Sequence, residues 1–284
     1  MKTYKHIFEE LLKEENITQC FHDAAKRKTT RPEVARVLKE EREVGNDRPE
    51  PQCLQEHVKA LQKMLEEETY QPPEHKKMLI NEYSCGKVRE IIKPEFQYEQ
   101  VVHHCIIKQL QPIVLHGLYE HALGSIPNRG CHSGKKQVEK WIKAYKGKKF
   151  YILKADVRHC FDTEDIRVIE TKLKRVIKDE RFVRLCSTVM EHEATMKPPE
   201  FDREWIEDEQ WKDTEFLSGL PLGFVTSQWF TQLNYKELDH KIVEEWKERS
   251  EGCSMVASGS EKHLHGAMTL SEVQRHSQKR LSHM

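Results

Sequence analysis

The sequence lacks the signatures of several common kinds of protein. None of its eight cysteines stands in a C-x-x-C pair, which argues against a zinc knuckle or a redox motif. No apolar run is long enough to cross a bilayer, and the charged start MKTYKHIFEELLKEEN has no apolar core of a secretion signal. We therefore expect a cytoplasmic protein with reduced cysteines and no membrane partner.

The chain also lacks an excess of charge of either sign. Its 47 Lys and Arg balance 47 Asp and Glu, so any attraction to a polyanion must come from a local patch. The clearest patch lies between Asn128 and Phe150, where eight Lys or Arg accompany a single acid, Glu139. Such a block suits a phosphate backbone or a triphosphate, and it equally fits a solvated helix face.

Apolar spacing predicts helices at both ends of the first third of the chain and a strand soon after. Residues from Tyr4 to Leu12, and again from Leu54 to Leu65, follow the helical period. Residues 88–92 (VREII) are typical of a strand, and a helix from Val101 is expected to stop near Pro112.

The second half of the chain alternates between loops, strands and helices. Residues 124–134 (GSIPNRGCHSG) predict a loop, and residues 150–157 (FYILKADV) predict the strongest strand in the chain. Residues 164–194 look helical. Helices mixed with isolated strands favour an α+β fold over a doubly wound sheet.

Three features could carry chemistry. Asp156 ends the predicted strand, where a carboxylate can hold Mg²⁺ for phosphoryl transfer or merely cap a helix. The basic block around Lys135 could bind phosphates. The run GLPLGFVTSQ (219–228) places two glycines and a proline before a helix, which allows its backbone to approach a ligand closely.

These features occur in an order that resembles bacterial and phage reverse transcriptases of the group II intron, retron and diversity-generating types. Residues 87–113 and 124–136 resemble the first two fingers blocks of that family. Residues 154–166 (KADVRHCFDTEDI) are similar to its first palm motif. Residues 219–240 are similar to the next one, with a Gly-Leu-Pro-x-Gly core.

The resemblance implies a role for each matching residue. Asp156 ligates Mg²⁺ with the Val157 carbonyl beside it, and Phe161 is the steric gate that rejects a ribose 2′-hydroxyl. Further nucleotide-binding residues are expected at Lys87, Arg89, Pro221, Leu222 and Gly223. Template-binding residues are expected at Arg129, Lys135, Ser227 and Gln228.

The same resemblance implies a right-hand polymerase made of fingers and an incomplete palm, without a thumb. It divides the chain into an N-terminal helical extension (1–75), fingers (76–149), a partial palm (150–248) and an irregular tail (249–284). The family's Tyr-x-Asp-Asp hairpin is not found, and no aspartate follows Asp239. We therefore expect a deletion, a frameshift or a truncated gene model near Arg249.

Two functions remain open from the sequence. The first is an RNA-directed DNA polymerase that uses an RNA template, a DNA or RNA primer, deoxynucleoside triphosphates and Mg²⁺. Because a single aspartate cannot hold two divalent ions, this chain is expected to be inactive alone. The alternative is a non-catalytic nucleic-acid-binding protein derived from such an enzyme.

Overall fold

A computed structural model describes residues 2–41, 51–82, 86–147, 157, 160–197 and 216–249. The chain divides into two compact units. The first unit combines residues 1–116, 161–199 and 215–234, and the second combines residues 117–160, 200–214 and 235–284. Residues 150–156 of the strand predicted at 150–157, including Asp156, lie outside the described residues, so this strand stays a prediction.

Helices dominate the described residues, and four short strands form two antiparallel pairs. The helices are α1 Ile7–Leu12, α2 Glu14–Ala25, α3 Pro32–Val37, α4 Leu54–Glu66, α5 Val101–Leu115, α6 Cys131–Ala144, α7 Cys160–Thr163, α8 Ile166–Val176, α9 Glu180–Glu191 and α10 Val225–Arg249. A π-helical turn, Phe96–Gln100, leads directly into α5. The strands are β1 Lys77–Glu82, β2 Lys87–Ile92, β3 Thr195–Lys197 and β4 Phe216–Ser218, paired β1 with β2 and β3 with β4.

The core of the first unit forms where α2 packs against α4 and α5. Apolar residues of α2 and α5 recur every three or four positions, so each helix presents one buried stripe to its neighbours. Phe21, Leu61 and Ile106 are completely buried in this core. Each such side chain contributes about 1.5–3 kcal/mol of burial free energy, and this packing fixes the elements on which the site below depends.

Asp179 joins the beginning of the chain to α9. One of its carboxylate oxygens accepts the amide of Phe182 at 3.3 Å and caps α9. The other accepts the amide of Phe8 in the first turn of α1 at 2.8 Å. Two amides at helix N-termini, which no intrahelical carbonyl can satisfy, are thus satisfied by a single side chain.

Both helices predicted in the first third of the chain are present, as α1 and as α4. The predicted stop near Pro112 is wrong, since α5 continues to Leu115 with Pro112 inside it. Proline removes one backbone donor, but Ile113 and Val114 are buried and stabilise the final turn. The amide of His116 then closes the helix on the Pro112 carbonyl at 3.1 Å.

The predicted loop at 124–134 is wrong over its last four residues, because α6 begins at Cys131. Gly134 is buried inside this helix, and a Cβ there would lie 2.6 Å from the Leu123 side chain. The glycine that suggested a loop therefore allows close packing instead. Among the helices of the described ranges, none is both long and apolar enough to span a membrane.

Replacing Asp179 with alanine should lower the free energy of unfolding by about 2–4 kcal/mol, because a cap is lost and the Phe8 amide loses its partner. The matched control is Asp165→Ala, which removes a cap that serves only α8. This control should lower the free energy of unfolding by about 1 kcal/mol. Urea denaturation of both variants measures the difference, and equal losses would contradict the dual role of Asp179.

Candidate nucleotide-binding site

The turn before α10 is built on two glycines with left-handed backbone. Gly219 has φ of 111° and Gly223 has φ of 121°, values that residues with a Cβ rarely adopt. At Gly223 the restriction is also steric, since a Cβ would lie 2.2 Å from the Ile92 carbonyl oxygen. Glycine at 223 thus allows the turn to lie directly against the end of β2.

Backbone hydrogen bonds hold this turn between two other segments. The Ile92 amide donates to the Leu222 carbonyl at 2.9 Å, which ties the turn to β2. On the other side, the Leu220 amide donates to the Phe161 carbonyl at 2.7 Å and the Gly219 amide to the Glu164 carbonyl at 3.3 Å. Three segments that are distant in sequence therefore meet at the turn.

A small cavity opens where these segments meet. Its volume is about 70 Å³, and its lining residues are Phe161, Pro221, Leu222, Gly223, Phe224, Val225, Ser227 and Gln228. Six of these eight were predicted as nucleotide- or template-binding residues from the sequence. Sites for small molecules usually have volumes of about 300–1,000 Å³, so this cavity is too small to enclose a whole nucleotide, and nucleotide binding here stays a prediction.

The two predicted template residues on α10 differ in exposure. Ser227 is buried, and its hydroxyl donates to the Pro221 carbonyl at 2.8 Å, which stabilises the turn. Gln228 is exposed. Contact of either side chain with a template stays a prediction.

Glu164 anchors the Phe161 side of the cavity. Its buried carboxylate accepts a hydrogen bond from the side-chain amide of Asn234 on α10. The Asn234 side-chain oxygen in turn accepts from the Lys172 ammonium on α8 at 2.7 Å. Burial lowers the pKa of Lys172. This chain of polar contacts fixes α8 and α10 on either side of the Phe161 segment.

Buried histidines support the opposite side of the turn. The Phe224 ring packs against His103 and His75, with ring centroids 4.5 and 5.2 Å apart. His103 makes a 2.8 Å hydrogen bond to the Thr226 hydroxyl, and burial lowers its pKa, which favours the neutral ring. Burial raises the pKa of Glu99, but His103, whose Nε2 lies 3.8 Å from the carboxylate, the hydrogen bond from the Glu95 amide and the field of His75 lower it below its usual value.

Sequence reasoning did not find this supporting layer of His75, Glu99, His103, Glu164 and Thr226. Most of their partners lie far away along the chain, as His103 and Thr226 do at 123 positions apart, and no local spacing could have indicated those pairs. Glu99 and His103 differ in being only four positions apart.

Strand β2 carries the predicted triphosphate-binding residues Lys87 and Arg89. In the backbone register of the hairpin, Lys87 pairs with Glu82 and Arg89 pairs with Ile80. Ile92, at the end of the same strand, is buried and bonded to the turn. The strand that bears both cations is thereby attached to the wall of the cavity.

The predicted metal-binding residues are only partly described. Asp156 lies outside the described residues, and Val157 is 38% exposed. In the described ranges, one group of three metal-ligating side chains comes together, and it contains neither residue. Mg²⁺ binding at Asp156 and Val157 therefore stays a prediction.

The second unit holds the two remaining template candidates. The Arg129 guanidinium donates to the carbonyls of Tyr119 and Ala122, at 3.0 and 3.3 Å, and so stabilises the loop before α6. Lys135 projects from α6 with 75% of its side chain exposed, 3.9 Å from Glu139. Of these two cations, Lys135 offers the more accessible charge.

Gly223→Ala should lower the free energy of unfolding by about 2–4 kcal/mol, because the strained φ and the clash with Ile92 both act. Gly219→Ala is the matched control, since its φ is similar but a Cβ there meets nothing within 4 Å. The control should lower the free energy of unfolding only by the backbone strain, about 1–2 kcal/mol. Urea denaturation compares them, and an equal cost would show that the contact with β2 is unimportant.

Comparison with known proteins gives distant similarities. No family model matches the chain. It is 22% identical over 195 residues to the group II intron-encoded protein LtrA of Lactococcus lactis subsp. cremoris, and equally to LtrA of strain MG1363. The alignment covers 67% of this chain but only 29% of either relative. This chain is therefore similar, at a distance, to a group II intron-encoded protein, in agreement with the resemblance of its motifs.

Proposed function

We propose that this chain is the nucleotide-handling part of an RNA-directed DNA polymerase. The observation that supports this most is the cavity at the turn before α10. Phe161 and Gly223 lie 62 positions apart in sequence, yet both line it, as the resemblance to reverse transcriptases requires of a nucleotide pocket. The distant similarity to a group II intron-encoded protein points to the same family.

The protein groups have distinct roles in this proposal. Phe161 lies under the sugar of the incoming deoxynucleotide, where its ring leaves no room for a 2′-hydroxyl. Lys87 and Arg89 approach the triphosphate from β2, and fixed cations there offset the charge that develops during transfer. Pro221, Leu222 and Gly223 form the apolar wall against which the nucleotide packs.

Mg²⁺ supplies charge neutralisation and orientation of the phosphates when bound, and Asp156 with the Val157 carbonyl would hold it. One aspartate is too few for a two-metal centre, so extension of a primer requires further carboxylates. We expect this chain alone to bind nucleotide and template without extending a primer.

Phe161→Ala tests the proposal through binding. The wild-type chain, with an RNA template annealed to a DNA primer and Mg²⁺, should bind the matching deoxynucleotide more tightly than its ribonucleotide. Removing the ring should reduce this preference by about 10- to 100-fold, since the excluded space becomes available. Displacement of a fluorescent nucleotide measures both affinities.

Val225→Ala is the control, because Val225 lines the same cavity but has no proposed contact with the sugar. Its preference should equal that of the wild type. Failure of the wild-type chain to bind any nucleotide, while it still binds RNA, would favour the second candidate function instead.

The second candidate is a nucleic-acid-binding protein without polymerase chemistry. Helix α6 supports it, because Lys135, Lys136, Lys140 and Lys143 are all exposed along the helix. Such a surface binds phosphates by releasing counterions, whatever the base sequence.

Replacing Lys136, Lys140 and Lys143 together with alanine should weaken RNA binding and its dependence on salt. With single-stranded RNA, the slope of log affinity against log salt should fall by about 2. The matched control replaces Lys2, Lys5 and Lys59, which are exposed in the other unit. Fluorescence anisotropy at several salt concentrations measures the slopes, and equal slopes in both triple variants would exclude α6 as the RNA contact.

A further inference from the structure

A cluster of metal-ligating side chains lies apart from the proposed nucleotide cavity. His75 stands in the segment before β1, and His192 and Glu193 follow the end of α9. Their ligand atoms all lie within 4.8 Å of one another. His75 Nδ1 is 2.5 Å from Glu193 Oε1, and His192 Nε2 is 3.9 Å from that oxygen.

Glu99 fixes the orientation of the His75 ring. Its carboxylate lies 2.5 Å from His75 Nε2, and both side chains are almost completely buried. The other Glu99 oxygen accepts the Glu95 amide at 2.7 Å, so the carboxylate is itself held in place. With the Nε2 proton shared with Glu99, Nδ1 beside Glu193 is the nitrogen that can bind an ion in place of a proton. This carboxylate–histidine arrangement is the usual support for a histidine that binds a metal.

The charges of the cluster also suit a divalent cation. Glu99 and Glu193 place two carboxylates on one buried imidazole. Burying uncompensated charge is costly, and a protonated His75 offsets only one of the two. A divalent ion bound by neutral histidines balances both negative charges.

We propose that His75, His192 and Glu193 bind a Zn²⁺ ion, with Glu99 as the outer carboxylate behind His75. Two imidazole nitrogens and one carboxylate oxygen suit Zn²⁺, whereas Mg²⁺ prefers oxygen ligands alone. Ligand atoms around a tetrahedral zinc ion are about 3.4 Å apart, between the two distances found here. Small side-chain rotations therefore complete the site.

His192 supplies the adjustable ligand. Its side chain is only 26% exposed, and Nε2 donates to the Pro73 carbonyl at 2.9 Å. Turning this nitrogen towards the ion frees that carbonyl, and the ring proton then belongs on Nδ1. Water takes the fourth position at this exposed edge of the site.

The ion would connect two segments that lie 117 positions apart in the sequence, His75 and His192. His75 immediately precedes the β1–β2 hairpin, and the Phe224 ring lies against it. Zinc at this position therefore fastens the base of the hairpin to the end of α9. Its role is structural, and it does not depend on whether the chain binds nucleotides.

Zinc titration of the full chain against a chromophoric chelator tests the site. Other histidines and cysteines also bind zinc, so the informative quantity is the difference between variants. His192→Ala and Glu193→Gln should each lower the affinity for one tightly bound equivalent of zinc by about 100-fold or more. Changing a residue that only supports a metal ligand already lowers metal affinity by about 10- to 100-fold. His6→Asn is the control, since it removes an exposed histidine beside Glu9 and should leave that equivalent intact.

Melting temperature and cobalt absorption are two further measurements of the same site. Zinc should raise the melting temperature of the wild type and of His6→Asn, but not that of His192→Ala, whose side chain lies at the partly exposed edge of the cluster. Cobalt in place of zinc should give the visible absorption of a tetrahedral nitrogen-ligated site in the wild type and in His6→Asn, but not in His192→Ala. Identical affinity and thermal shift in wild type and His192→Ala would overturn the proposal.

Discussion

The contact between Gly223 and the end of β2 is the constraint on which the candidate site depends. A two-stranded hairpin has little stability of its own in water. Strand β2 is held because the Ile92 amide reaches the Leu222 carbonyl, and that approach exists only where residue 223 has no Cβ. The hydrogen bond that ties β2 to the wall of the cavity follows from this one absence of a side chain.

Around that contact, buried polar groups of the first unit hold the turn in one position. Glu164, Asn234 and Lys172 hold one side of the turn, while His103 and Thr226 hold the other. Removing each of these groups from water costs free energy, and its hydrogen bond offsets that cost only when the partner is correctly placed. Such layers specify a single arrangement more strongly than apolar packing does, which suits a site whose backbone must not move.

The sequence predicted helices and strands that depend on neighbouring residues, and it missed contacts between residues far apart in the chain. Helix α4 and strand β2 follow from the spacing of their own apolar residues. The stop at Pro112 failed because burial of Ile113 and Val114 outweighs the missing hydrogen bond, and burial depends on residues elsewhere in the chain. Residues around the cavity could be named only because their motifs resemble a known family. The His75, His192 and Glu193 cluster has no such motif, and only the folded chain brings it together.

Asp179 has a consequence for how the chain is made. Its partner Phe8 leaves the ribosome 171 residues earlier. At synthesis rates of about 5–20 residues per second, the first helix waits roughly 10 to 30 s before the carboxylate that caps it exists. During that interval its apolar stripe has no permanent neighbour on α9. The hydrogen bond that joins α1 to α9 can therefore form only after all the residues between them have been synthesised.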